Sequence, residues 1–283
     1  PSNIGEKEYN LALAASKCGV CMAEAERTRL DAADRIVYRI TNGKYRILDM
    51  DGKFIGDDYD AFPSDQLGEC AAYMENGRFG YIAKDGTILV EPDYLELPVF
   101  TNGFAVVKKE NIDAEEMDNG SGSTMFPTIM GVIDAYGDIV VPIEYSGVRV
   151  SSDGHYAVIS VRDDDNNRKD GLFDLEQGKV AIEPQYSNIF DEPHDGTLIA
   201  SITEKKEETK DDVGSDSSEY QSWCGVVSVQ GEELVPFQYD LIEYDEALNA
   251  YICYIDDEIA KVYEIRNGAV VEKAESPHIM MER

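Results

Sequence analysis

Any chemistry in this chain has to be built from carboxylates and aromatic rings, because little else is supplied. Among 283 residues there are 57 Asp or Glu, 25 Lys or Arg, and 3 His. The histidines, His155, His194 and His278, stand in unrelated contexts and leave little material for a His-based triad or a zinc centre. No G-x-S-x-G elbow, phosphate-binding glycine loop, H-E-x-x-H or dinucleotide fingerprint occurs. At this acid density paired carboxylates arise by chance, so a carboxylate-based hydrolase is only a remote alternative. The expectation is a protein that is not an enzyme and takes no cofactor.

One acidic run has the spacing of a cation loop. Asp163, Asp165 and Asn167 fall on the first, third and fifth positions of a calcium loop, and Asp174 on its twelfth. Arg168 stands where the tight turn needs glycine, and Lys169 adds a second positive charge. An ordinary turn between repeats is the stronger reading; a calcium-dependent adhesin is the weaker one.

The five cysteines form no metal or disulfide pattern. Cys18 and Cys21 share a helical stripe with Leu11, Ala14, Ala25 and Ala32, which predicts a helical segment over 1–35 with both thiols packed inward. Cys224 and Cys253 fall in strands of one repeat and are expected to be free buried thiols.

The elements that position these groups recur. From Gly80, Gly131, Gly171 and Gly225 the chain runs through an aliphatic strand, a turn ending in Gly, a second aliphatic strand and a Pro to Tyr94, Tyr145, Tyr186 and Tyr239. The Gly-to-Tyr distances are 14, 14, 15 and 14 residues, while the gaps between copies vary. A constant core with elastic spacers marks one structural unit per copy and insertions in loops. Asp85-Gly86 and its relatives predict a hairpin turn. The second strand reads as buried on both faces, and the proline as its end. A third strand, such as Phe104–Lys108 or Tyr251–Ile255, is expected to close each unit, with a fourth short strand before it.

The units are placed at about 45–75, 79–110, 130–163, 170–204 and 224–257, with a degenerate copy at 259–275, in a β-repeat domain spanning 36–283. In the first, Arg46 replaces Gly and no proline is present. The fold class is all-β: three- to four-stranded antiparallel units in a propeller-like ring or an open β-solenoid. The ring is favoured, closed by residues 36–40 adding to the last sheet beside 259–264, which would hide both edges.

This pattern resembles the WG-repeat family of bacterial proteins, whose units run aromatic-Gly, two aliphatics, a second Gly, an aliphatic run and Pro-x-Tyr. The family's tryptophan is missing: Phe79, Met130, Asp170 and Cys224 fill its slot, and Trp223 lies one position early. The resemblance implies an interaction or envelope module with no general catalytic set.

A net charge of −32 repels nucleic acid and anionic membrane and favours a basic or polar partner. No stretch of 18 apolar residues is present, so no membrane insertion is expected. Location divides between the cell envelope, if an anchor or signal lies ahead of Pro1, and the cytoplasm. The insertions 111–129 and 203–222 read as polar surface loops.

Repeat arrays bury what they share and expose what varies. The once-per-unit tyrosines are therefore expected in the core, and binding is expected from 95–102, 146–154, 187–196 and 241–249 on one face. Phe100, Phe190, His194 and Tyr244 are the candidate binding residues there, for an unknown protein or a polar or basic ligand. A glycan-binding module is an alternative.

Overall fold

The computed structural model describes residues 28–30, 36–39, 44–49, 53–60, 66–67, 70–83, 87–118, 124–190, 192–205, 220–266 and 269–273. The helical segment expected over 1–35, the Asp85-Gly86 turn and Cys18, Cys21 and His278 lie outside the described positions.

Among the described residues, six antiparallel sheets of three or four strands follow one another. Sheet 1 comprises Thr28–Leu30, Ile36–Arg39, Tyr45–Leu48 and Phe54–Tyr59; sheet 2 comprises Gln66–Leu67, Cys70–Glu75, Arg78–Ile82 and Ile88–Tyr94. Sheet 3 has Phe104–Glu110, Thr128–Asp134 and Ile139–Tyr145; sheet 4 has Gly147–Val150, Tyr156–Arg162, Arg168–Asp174 and Lys179–Tyr186. Sheet 5 has Asn188–Ile189, Thr197–Lys205, Tyr220–Ser228 and Glu233–Tyr239; sheet 6 has Leu241–Asp245, Ala250–Ile255, Glu258–Arg266 and Ala269–Glu272. The chain divides into two compact units, 1–144 and 145–283, with the last strand of sheet 3 ending at the division.

Each sheet is out of phase with the sequence repeat. The third strand does not close its own unit; Phe104–Glu110 pairs with Thr128–Asp134 of the next copy, and Thr197–Lys205 pairs with Tyr220–Ser228. What joins a hairpin to its following strands is the N–H just past the Tyr. Leu95 donates to the Lys108 carbonyl at 2.9 Å, Ser187 to that of Ser201 at 2.8 Å, and Asp240 to that of Tyr254 at 3.0 Å.

Within each unit the cores lie between successive sheets. In the first, Ile47, Ile55 and Tyr59 of sheet 1 meet Tyr73 and Ile82 of sheet 2, and Tyr81, Val90 and Tyr94 meet Val107 and Ile133 of sheet 3. In the second, Leu172, Ile182 and Tyr186 of sheet 4 pack on Leu198 and Val227 of sheet 5, while Ile199, Val226 and Tyr239 pack on Ile242, Tyr251 and Cys253 of sheet 6. Neighbours such as Leu198 and Ile199 thus serve opposite cores, as strand alternation requires. Tyr59, Tyr94, Tyr145, Tyr186 and Tyr239 are all buried.

The second strand differs from expectation. It is an edge strand, and Ile88 and Ile139 at its start are exposed. It also runs through the proline to the Tyr, as in Ile88–Tyr94 and Glu233–Tyr239. On an edge, the missing proline N–H forfeits no ladder bond, and each strand bulges there. Phe79 pairs with Tyr94 and Tyr81 with Val90, so Gly80 alone faces three residues. Sheet 1 inverts the arrangement: Arg46 faces the bulge, whose glycine is Gly56 with φ +61°. The Arg46 Nε reaches Asp58 Oδ1 at 2.5 Å, and the guanidinium beside Asp58 holds that carboxyl below its usual range.

The elastic spacers are hairpin tips between the third strand and the next first strand. They are Asn76-Gly77 in sheet 2, 163–167 in sheet 4 and Asp256-Asp257 in sheet 6. The two predicted loops are partly extensions of the same hairpins. Met117–Asp118 pairs with Thr124–Met125, and the sheet 5 ladder continues to Lys205 opposite Tyr220.

The proposed ring-closing strand is placed elsewhere. Ile36–Arg39 is hydrogen-bonded on both sides within sheet 1, and Glu258–Arg266 on both sides within sheet 6. A strand has two edges, so neither can accept the other. Among the described residues no helix is long and apolar enough to cross a membrane.

Candidate binding cleft

In the second unit the three variable segments are stitched side by side. The Arg149 guanidinium donates to the carbonyls of Ile189 at 2.9 Å and Phe190 at 3.2 Å. The Ser152 N–H donates to Glu192 Oε1 at 2.7 Å, and the Ser152 hydroxyl bonds the other carboxylate oxygen. The His194 ring lies flat on that of Tyr244, with centroids 3.9 Å apart and planes 17° apart. Segments 146–154, 187–196 and 241–249 thus form one continuous edge, as repetition of the unit predicts.

A cleft of about 710 Å³ opens along it. Its wall is Leu241 to Ala247, the first strand of sheet 6 and the turn after it, and Phe190, Cys224 and Ile252 also line it. Three carboxylates, Glu243, Asp245 and Glu246, line the space, and no basic residue does. Phe190 is 43% exposed.

Tyr244 is held in place from several directions. Its hydroxyl donates to Asn249 Oδ1 at 2.6 Å, and the Asn249 amide donates onward to the Ile265 carbonyl at 3.2 Å. Behind it, Tyr251 stands 5.3 Å away and shares a 2.6 Å hydrogen bond with the Thr197 hydroxyl. Burial pushes the Tyr244 phenol above its ordinary pKa, reinforced by the charges of Asp195, Glu246 and Asp245. That ring is therefore neutral at physiological pH and sits in a negative field.

Phe190, His194 and Tyr244 come together at this edge, and Phe100 belongs to the first unit. It packs edge-on against Tyr81 at 5.6 Å in the first unit's core, where the Tyr81 hydroxyl donates to the Pro98 carbonyl at 2.8 Å. The Phe100 ring itself is only partly buried there.

The calcium spacing is a turn. One oxygen of Asp163 accepts the N–H groups of Asp165 at 3.1 Å and Asn167 at 2.8 Å, closing the hairpin tip. These hydrogen bonds hold the Asp163 carboxyl below its usual pKa. Asp174 ends the following strand and caps the next turn through the Gln177 N–H at 2.8 Å. Spacing in sequence put four oxygens on one loop; the strand between them carries Asp174 to its far end. Among the described residues no group of three or more His, Cys, Asp or Glu could hold a metal ion.

Two roles were missed. In three of the four copies, position three after the repeat glycine caps the hairpin turn, the Gly80 copy having Ala83 there: Asp134 Oδ1 accepts from Tyr136 N at 2.9 Å and Asp138 N at 3.0 Å. Ser228 Oγ does the same for Gln230 at 3.2 Å and Glu232 at 3.1 Å. The recurring Asp, Asp, Ser at 134, 174 and 228 was a visible signal for it. The second role belongs to the vacated tryptophan slot. Asp170 there is fully buried, taking the Ser160 hydroxyl at 2.7 Å, the Arg168 Nε at 2.7 Å and the Ile189 N–H at 3.2 Å. Cys224, in the matching slot of the next copy, receives the N–H of Ile242. The slot side chain therefore reaches the backbone three residues past the Tyr, anchoring the edge on which the cleft is built.

Residues 79–111, 130–163 and 171–205 match the model of the WG containing repeat. The copy at 224–257 lies outside these matches, yet Glu233–Tyr239 has the same burial pattern as Ile88–Tyr94 and Ile139–Tyr145. No curated protein matches the chain. Similar solved structures include the Dos1 propeller, at 12% identity over 89% of this chain and 70% of that one, with a TM-score of 0.31. The β-propeller domain of the Trilobed protease from Pyrococcus furiosus is 10% identical over 88% and 70%, with a TM-score of 0.33. Hydrazine synthase of Kuenenia stuttgartiensis is 13% identical over 85% and 73%, with a TM-score of 0.32.

Proposed function

We propose that this array of WG containing repeats is a non-enzymatic binding module that docks a protein partner along the edge formed by 146–154, 187–196 and 241–249. One observation carries the reading. Three segments that differ between copies are tied into a continuous surface, and that surface holds a cleft with a half-exposed aromatic residue, Phe190. Aromatic side chains in a cleft are typical anchors of interfaces.

The test is selection of a displayed dodecapeptide library on the full chain. Peptides enriched on the parent protein are expected to lose about tenfold in affinity on Phe190→Ala, with unchanged melting temperature. Enriched peptides indifferent to Phe190, or no enrichment over an unrelated acidic protein, reject the reading.

A further inference from the structure

We infer that the cleft receives a lysine or arginine side chain from an extended basic segment of the partner polypeptide. The inference rests on the binding reading above and narrows it to a chemical class.

The lining combines two kinds of surface. Leu241, Ile242, Ala247, Ile252 and Phe190 are apolar, while Glu243, Asp245 and Glu246 are anionic. Only Lys and Arg combine a long apolar stem with a cationic head. The stem covers the aliphatic lining, and the head meets the carboxylates at the mouth.

Those carboxylates retain accepting capacity. Glu243 takes the Tyr254 hydroxyl at 3.1 Å, and Asp245 takes the Leu248 N–H at 3.0 Å. Glu246 makes no side-chain hydrogen bond or ion pair among the described residues, and none of the three pairs with a described Lys or Arg. An ionised carboxylate offers about four lone-pair sites, so most of this capacity faces solvent. Phe190, 43% exposed, adds the face of a π-system to the same site, while the Tyr244 ring is covered by His194. An anionic ligand is repelled, and a neutral one would desolvate three charges without compensation.

The occupant is a polypeptide because of the wall itself. Leu241–Asp245 is the edge strand of sheet 6, paired with a strand on one side only, Ala250–Tyr254, and the Ile242 N–H is taken by Cys224. An extended segment can lie along such an edge and send alternate side chains into the cleft. The rim continues the charge. Segments 146–154, 187–196 and 241–249 contain Asp153, Glu192 and Asp195 besides the three cleft acids, against Arg149 as their one Lys or Arg. A basic segment running along the edge is favoured throughout its length.

The experiment uses the same dodecapeptide library at about 150 mM salt, where general attraction is screened beyond about 8 Å. It is read on the parent, on Glu243→Gln/Glu246→Gln, and on Asp164→Asn/Asp165→Asn, which removes equal charge at an exposed turn. Phe190-dependent binders are expected to be enriched in Lys or Arg on the parent and on the turn variant. On the cleft variant they are expected to weaken about tenfold and the enrichment to vanish. Spermine is expected not to displace them at concentrations that merely match their charge. Phe190-dependent binders without Lys or Arg enrichment overturn the cation assignment and leave the binding reading standing. Equal losses on both charge variants, or displacement by charge-matched spermine, attribute the effect to the overall field and overturn it too. No Phe190-dependent binder sinks both.

Discussion

A Cβ on Gly171 would stand 2.5 Å from the carbonyl oxygen of Ile182, on the edge strand beside it. The same collision recurs as Gly80 on Val90 at 2.3 Å, Gly131 on Val141 at 2.6 Å and Gly225 on Val235 at 2.8 Å. The repeat glycine is therefore fixed by backbone approach at the proline bulge, where only a hydrogen fits. Gly171→Ala and Gly225→Ala are expected to cost about 3 kcal/mol or more each, since backbone must move to admit the methyl. Gly147→Ala, whose nearest contact is 3.4 Å, is the control and should change stability little. Urea unfolding followed by circular dichroism measures the contrast, and equal effects would dismiss the bulge explanation.

Asp134 closes its hairpin turn by accepting two N–H groups. Asp134→Ala is expected to destabilise by about 1 kcal/mol, seen as a drop of about 2–4 °C in melting temperature. Asp134→Asn should retain most of the loss because its amide oxygen still accepts. If Asn is as harmful as Ala, the charge rather than the turn geometry matters.

Asp256 and Asp257 both adopt positive φ, 52° and 62°, in the two-residue tip of sheet 6. The matching tip in sheet 2 is Asn76-Gly77, the pair best suited to that turn. Replacing Asp256-Asp257 by Asn-Gly is expected to stabilise by about 0.5–1 kcal/mol and to relieve one repulsive cluster. Differential scanning calorimetry gives the sign, and a lower melting temperature contradicts the assignment.

Burial pushes the Cys253 thiol up to about 12 from an ordinary 9.0, and raises Cys224 as well. The folded pKa exceeds the unfolded one, so this contribution to stability is complete below pH 9.0 and is lost as pH rises towards 12. At pH 8 the Cys253 peptide is expected to stay unalkylated by iodoacetamide in the folded chain and to react fully in urea. Mass spectrometry of the digested protein reads it. Prompt labelling under native conditions would place that thiol at the surface.

Much of this architecture was legible before any coordinate. The Gly-to-Tyr spacing located one hairpin in each of sheets 2 to 5, and the variable gaps located the tips, because a repeated backbone tolerates length change only where no neighbouring sheet packs. Burial of one Tyr per copy followed from the same logic. The edge containing Phe190, His194 and Tyr244 was legible too, since residues that differ between copies occupy equivalent positions. Phe100 obeyed the same rule in sequence, but sheet 3 lacks the short strand after the Tyr, and the ring turns inward onto Tyr81.

What the residues by themselves determined was local: strand period, turn chemistry, the Gly–Pro–Tyr register and an acidic surface. These depend on a few neighbours along the chain, which a linear string records. Only the tertiary structure decided which hairpin each third strand joined, that Asp163 and Asp174 part company, and that Glu243, Asp245 and Glu246 share a cleft with Phe190. Strand pairing and the meeting of side chains 50 residues apart are set by competition among edges and by packing between sheets. No single segment carries that information.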